Sequence, residues 1–135
     1  MSPDARLMCG LSFILIPTIV YGGLTVLGII SNRMLGAPGP TNLTATQIAF
    51  YRGGHAHAGV LKLLAVLLQV TLDYAQLSPT LVWWLRVGAI AGSILVSGGF
   101  FAVAHTRALR FLLYTGALVV AAVTLCASIG LIRSR

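Results

Sequence analysis

The sequence predicts an all-α integral membrane protein built as a bundle of four spanning helices. Of its 135 residues, 58% are hydrophobic and 8% are charged, whereas about a quarter of the residues in a typical soluble domain are charged. Four apolar runs are each long enough for the ~20 residues that a helix needs to cross a bilayer. We therefore expect residues 1–135 to form a single multi-pass membrane domain, with helices over residues 7–33, 46–74, 80–105 and 107–132.

The net charge of +7 does not indicate a nucleic-acid-binding protein. Most of the basic residues lie at the ends of the apolar runs and do not form a stripe on a polar domain, a distribution typical of contacts with lipid headgroups. The predicted partner is therefore the lipid bilayer, and no nucleic acid is expected. The predicted location is a bacterial inner (cytoplasmic) membrane.

The first helix contains two features that predict departures from a plain membrane span. Pro17 lacks an N–H group and its ring clashes with the preceding turn, so it predicts a kink. One turn later, Tyr21 is followed by Gly22 and Gly23, which allow another backbone or a planar ligand to approach closely. Residues 31–46 are then predicted to form a Pro- and Gly-rich surface loop, with a lid over the bundle end as the alternative.

The second helix carries an unusual concentration of titratable side chains. Because such groups are costly in the hydrocarbon region, they are interpreted by default as a functional site. At ~100° per residue, His57 points about 200° away from His55, so the two imidazoles cannot bind the same metal ion. Arg52, His55 and Lys62 share one side of the helix. Lys62 is predicted to extend to the membrane surface, to pair with Asp73, or to contact a neighbouring protomer.

The third helix begins with an aromatic segment and continues with small residues. Trp83 and Trp84, together with Arg86, predict an interfacial belt at the headgroup level. Gly and Ser residues around positions 88–99 are typical of close helix packing. The fourth helix is apolar on all sides, and no chemistry is predicted for it.

His57 has the surroundings of a haem ligand. A neutral imidazole on an apolar, glycine-lined surface can be an axial ligand, because a flat macrocycle needs small residues beside it. Gly53, Gly54 and Gly59 are those small residues. The alternative is a histidine that hydrogen-bonds to a neighbouring helix.

The basic residues Arg52, His55 and Lys62 on the other side of the helix would suit haem propionates, a lipid phosphate or a carboxylate substrate. Four short helices enclose little volume, so a ligand as large as haem would be housed between subunits. A homo-oligomer is therefore predicted.

The stretch Ala56-His57-Ala58-Gly59 resembles the haem-ligand motif of the styrene oxide isomerase group, small four-helix membrane enzymes that work as trimers with haem b between protomers. Tyr21-Gly22-Gly23 and the segment at residues 97–101 are similar to two further motifs of that group. The resemblance implies a homotrimer with haem b as cofactor and His57 as the iron ligand. It also implies that ferric haem acts as a Lewis acid, rearranging a small apolar epoxide to a carbonyl compound.

The chain departs from that group at two positions. Where the group has an Asn about two turns after the ligand and a Tyr in the third helix, this sequence has Leu63 and Phe101, neither of which donates a hydrogen bond. The candidate catalytic positions are therefore Phe101, which would keep water from the reacting carbon, and Tyr21 and Lys62 as replacement donors. Tyr51 is a further candidate donor.

Two other functions fit the same residues. The first is a haem-bearing electron-transfer or membrane-anchor subunit, in which His105 would be a second axial ligand beside His57. The second is a cofactor-free membrane protein whose basic residues bind an anionic lipid or a protein partner.

Overall fold

The computed structural model describes residues 1–36 and 43–134. The prediction of a surface loop or lid falls partly on residues 37–42, which lie outside the described residues, as does Arg135. The helices are α1 (Pro3–Ile14), α2 (Ile16–Met34), α3 (Ala45–Thr71), α4 (Pro79–His105) and α5 (Arg110–Arg133).

These helices make four segments that are long and apolar enough to span a membrane: Pro3–Met34, Ala45–Tyr74, Pro79–His105 and Arg107–Arg133. The prediction of an all-α protein with four apolar spans is confirmed, and the last three spans match the predicted bounds closely. The bacterial inner membrane and the trimer stay predictions.

The first span starts earlier than predicted and is broken. The hydroxyl oxygen of Ser2 accepts a hydrogen bond from the N–H of Ala5 at 3.1 Å, which caps α1 and lets it begin at Pro3. The helix is interrupted at Leu15, two residues before Pro17. Since Pro17 has no N–H to donate to the preceding turn, the break has the cause that the sequence predicted.

α3 starts with a capping box that also joins it to α4. The Thr44 hydroxyl accepts from the N–H of Gln47 at 3.2 Å, and the Gln47 side chain accepts from the N–H of Thr44 at 2.9 Å. Each bond satisfies a backbone donor that the helix leaves free. The Gln47 amide then donates to the carbonyl of Ala104 at 3.1 Å, which ties the start of α3 to the end of α4.

The seam between α4 and α5 depends on glycines. A Cβ atom at Gly99 would lie 2.7 Å from the Cα of Leu113, and one at Gly116 would lie 2.6 Å from the backbone nitrogen of Val96. Backbone atoms cannot move aside without displacing the helix, so α4 and α5 can pack this closely only with glycine at both positions. The core between α3, α4 and α5 consists of Ala65, Leu68, Leu72, Leu85, Ala89, Val123 and Ala127.

A buried ion pair joins α3 to α4 and corrects two expectations. Arg86, predicted in the interfacial belt, is 2% exposed, and its guanidinium donates to the carboxylate of Asp73 and to the backbone oxygen of Gln69. Asp73 therefore pairs with Arg86 and not with Lys62. Lys62 lies about 16 Å further along the helix axis from Asp73.

Candidate functional site

His57 and His55 face opposite sides of α3, as helical geometry predicts. His57 is exposed on the outer surface of the chain, whereas His55 is half-buried and lines an internal cavity. The two imidazoles therefore belong to two separate sites.

The ring of His57 is held by two contacts. Its Nδ1 lies 2.7 Å from the backbone oxygen of Gly53, and its plane stacks on Phe100 with 4.6 Å between the ring centroids. A carbonyl oxygen can only accept, so Nδ1 must carry the proton in this hydrogen bond. In the neutral ring, Nε2 then keeps its lone pair and points away from Gly53. This is the arrangement in which a metal-binding histidine is usually held.

The glycines near His57 have different surroundings. A Cβ at Gly53 would lie 3.2 Å from the ring of Phe100, and a Cβ at Gly54 would lie 3.0 Å from both Phe100 and Phe101. Gly53 and Gly54 thus allow α4 to pack on α3, a role that needs no cofactor. A Cβ at Gly59 would meet no atom within 4 Å, but Gly59 points about 200° away from His57 at ~100° per residue, so this open space is not beside the His57 ring.

His55 lies at one end of a cavity of about 270 Å³ between α2, α3 and α4. Its ring presses against α2, where a Cβ at Gly23 would lie 2.6 Å from it. Gly23 therefore serves the packing of His55. The cavity is lined by Leu15, Thr18, Ile19, Gly22, His55, Ala58, Lys62, Ser93, Ile94, Ser97, Gly98 and Phe101.

Lys62 lies at the other end of this cavity. It is 4% exposed, so it does not extend to the membrane surface, which was one of the predicted alternatives. Its ammonium donates to the hydroxyl oxygen of Ser93 at 3.2 Å. The sequence indicates only a packing role for Ser93 and Ser97. Their spacing of one helical turn could have indicated a shared polar face on α4.

The other predicted site residues do not share one site. Arg52 and Tyr21 are both exposed and do not line the cavity, so Arg52 is separated from His55 and Lys62. Phe101 lines the cavity, while its neighbour Phe100 contacts His57 on the other side.

Leu63 is exposed on α3 and points about 120° away from His57 at ~100° per residue. Phe101 faces the internal cavity. Within one chain, these two positions therefore do not meet at His57.

His105 has a partner of its own, which the sequence did not indicate. Its Nε2 lies 3.0 Å from the hydroxyl of Tyr51, and the two rings also contact each other. Tyr51 precedes His57 by about 9 Å along α3. A pair of axial ligands formed by His57 and His105 of the same chain is therefore not present.

Over residues 1–36 and 43–134, no three His, Cys, Asp or Glu side chains come together in a group that could hold a metal ion. A haem iron is less demanding, because the porphyrin supplies most of its ligands and the protein needs only one histidine. His57 meets this requirement.

We compared the chain with protein-family models, curated proteins and solved structures, and none of the three comparisons found a match.

Proposed function

We propose that this chain is a haem b-dependent membrane isomerase that resembles the styrene oxide isomerase group, works as a homotrimer and converts a small apolar epoxide into a carbonyl compound. The single observation that carries the proposal is the position of His57. Its Nδ1 is bound to the carbonyl of Gly53 at 2.7 Å, its ring is stacked on Phe100, and the ring is exposed on the outer surface of the bundle.

The surroundings of His57 suit a haem face more than water. The nearby outer positions of α3 carry the exposed apolar residues Ala56 and Val60. Because His57 lies on the outside of the chain, a macrocycle bound to it would be covered on its other face by a second subunit or by lipid. This supports a site between protomers. Tyr21, exposed on α2, could reach such a site only from a neighbouring subunit.

The hydrogen bond between Tyr51 and His105 favours the isomerase over the electron-transfer alternative. His105 is engaged there, so His57 is the residue of each chain that would hold a haem, and no second histidine of the same chain would compete with a substrate. When bound, ferric haem b supplies a Lewis acid for the epoxide oxygen, an effect worth several kcal/mol of charge stabilisation. The Gly53 carbonyl orients the imidazole, and the apolar side chains around it exclude water that would trap a cation as a diol.

The first experiment is an absorbance spectrum of the detergent-purified protein, expressed with a haem precursor. We expect a Soret band in the wild type and its loss in His57→Ala. His105→Ala is the matched control, because it removes an imidazole whose described partner is Tyr51, and we expect it to keep the band. The haem-loaded protein should then convert an aryl epoxide to a carbonyl compound without oxygen or reductant.

Three results would contradict the proposal. A colourless wild-type protein would favour the cofactor-free lipid- or partner-binding alternative. An unchanged Soret band in His57→Ala would exclude His57 as the ligand. A low-spin, reversibly reducible haem that becomes high-spin in His105→Ala would favour the electron-transfer subunit.

A further inference from the structure

The internal cavity contains a buried cation, Lys62, that has no counter-ion among residues 1–36 and 43–134. Lys62 lies near the middle of the span Ala45–Tyr74, at a depth where ionisable groups are usually paired. The chain has two acidic residues, Asp4 and Asp73. Asp73 lies in the short turn just after α3 and binds Arg86, and Asp4 is an exposed residue in the first turn of α1. Neither carboxylate forms an ion pair with Lys62.

Hydrogen bonding also leaves Lys62 incompletely satisfied. An ammonium has three N–H donors, and within the described part of the chain it has one acceptor, the Ser93 hydroxyl oxygen. That hydroxyl donates its own proton to the carbonyl of Ile90 at 2.8 Å. Ser97, the next polar residue along the cavity, likewise donates to the carbonyl of Ser93. The nearby hydroxyls are therefore fixed, while two donors of Lys62 stay available to a ligand.

We propose that this cavity binds a small monocarboxylic acid, whose carboxylate accepts hydrogen bonds from Lys62 and whose apolar body lies towards Phe101 and His55. A carboxylate supplies both the charge and the acceptors that Lys62 lacks. The rest of the lining is largely apolar, which favours an organic acid over an inorganic anion. The site is independent of haem, because His57 lies on the opposite side of α3.

The size of the cavity limits the ligand. A cavity of about 150 Å³ holds benzene, so 270 Å³ accommodates roughly ten to twelve non-hydrogen atoms by the same measure. His55 and Lys62 are about 10 Å apart along α3, and the cavity follows this length. A medium-chain acid such as octanoate fits these dimensions, whereas a long-chain fatty acid does not.

The ligand can enter from the membrane between α2 and α4. Thr18 on α2 and Ile94 and Gly98 on α4 line the cavity and are also exposed on the outer surface. A monocarboxylic acid in the bilayer would meet this opening first and reach Lys62 behind it.

The test is scintillation-proximity binding of tritiated octanoate to the full chain in phosphatidylcholine nanodiscs, after washing with fatty-acid-free albumin. We expect saturable binding in the wild type and binding at least about tenfold weaker in Lys62→Met, because a charge-assisted hydrogen bond is lost. Unlabelled octanoate should displace the label, and octanol should not.

A second variant keeps the lysine but fills the cavity. Gly22 lines the cavity and Gly28 does not, and a Cβ at either position would meet no atom within 4 Å. We expect Gly22→Leu to lose octanoate binding and Gly28→Leu, on the same helix, to keep it. Four results would overturn the proposal. The wild type could show no saturable binding, or Lys62→Met could bind octanoate as well as the wild type does. Octanol could displace the label as well as octanoate does, or Gly22→Leu could bind octanoate as the wild type does.

Discussion

At the scale of single residues, the two buried cations are stabilised in different ways. Arg86 contacts a carboxylate, a backbone oxygen and a side-chain amide, so both its charge and its donors are largely satisfied within the chain. Within the described chain, the ammonium of Lys62 has one hydrogen-bond acceptor, the hydroxyl oxygen of Ser93. A buried ion pair contributes little net stability compared with apolar residues, but removing one partner leaves an uncompensated charge. Arg86 therefore belongs to the scaffold, whereas Lys62 belongs to a binding site.

This difference predicts the effect of removing the carboxylate of Asp73. We expect Asp73→Ala to lower the free energy of unfolding by about 3 kcal/mol, because Arg86 would remain buried without a counter-ion. Thermal unfolding in one detergent, followed by circular dichroism, measures the change. The double variant Asp73→Ala/Arg86→Met should recover most of the loss.

Asp4→Ala is the matched control for that experiment, since Asp4 is the chain's other acidic residue and lies exposed in the first turn of α1. Its interaction with the helix dipole is worth at most about 1 kcal/mol. If Asp4→Ala destabilised the protein as much as Asp73→Ala, the buried pair would not be the cause.

At the scale of helices, glycines have roles that depend on what lies opposite them. Gly99 and Gly116 face backbone atoms across the seam between α4 and α5, Gly23 faces the ring of His55, and Gly28 faces no atom of the described chain. All are glycines in apolar helices, so the sequence predicts close packing for each of them equally. Only the contacts distinguish the glycines that set a helix distance from those that do not.

Substitution of Gly116 tests whether this glycine sets the distance between α4 and α5. We expect Gly116→Val to lower the unfolding free energy by about 2 kcal/mol or more, because its Cβ would overlap the backbone of α4 and force the helices apart. Gly28→Val should leave stability within about 0.5 kcal/mol. Unfolding midpoints measured in the same detergent would show the difference, and similar midpoints for the two variants would contradict a backbone-to-backbone contact at Gly116.

At the scale of the whole molecule, the helices are unevenly packed: α3, α4 and α5 enclose the core, whereas α2 is largely exposed. The core lies between α3, α4 and α5, while α2 has no buried residue and packs mainly on α3. The outer surface that carries His57 also contains Val60, which is 67% exposed. If haem lies between protomers, this surface becomes an interface in the assembly.

The proposed assembly predicts a trimer with about one haem b per chain, measurable by native mass spectrometry from detergent. We expect Val60→Trp to reduce both the trimer fraction and the haem content, because it places a large ring one turn from His57. Leu118→Trp on α5, where the wild-type side chain is 71% exposed, is the matched lipid-facing control and should change neither. A haem-loaded monomer, or a full haem content in Val60→Trp, would contradict a site between subunits.

Much of the architecture follows from local properties of the sequence. The lengths of the apolar runs predict four spans, and Pro17 predicts a kink in the first span. The rotation of ~100° per residue in an α-helix places His55 and His57 on opposite sides. These features depend on residues close together in the chain, and the structure agrees with them. The proposed haem site at His57 was predicted in the same way and stays a prediction.

The tertiary structure alone decided which residues meet across helices. It paired Asp73 with Arg86 and Tyr51 with His105, gave Gly53 and Gly54 a packing role against α4, and enclosed Lys62 in a cavity with Ser93. Helical periodicity tells which side of a helix a residue occupies, but not which neighbour covers that side or at what depth. Those depend on the register between helices, which packing over the whole bundle determines.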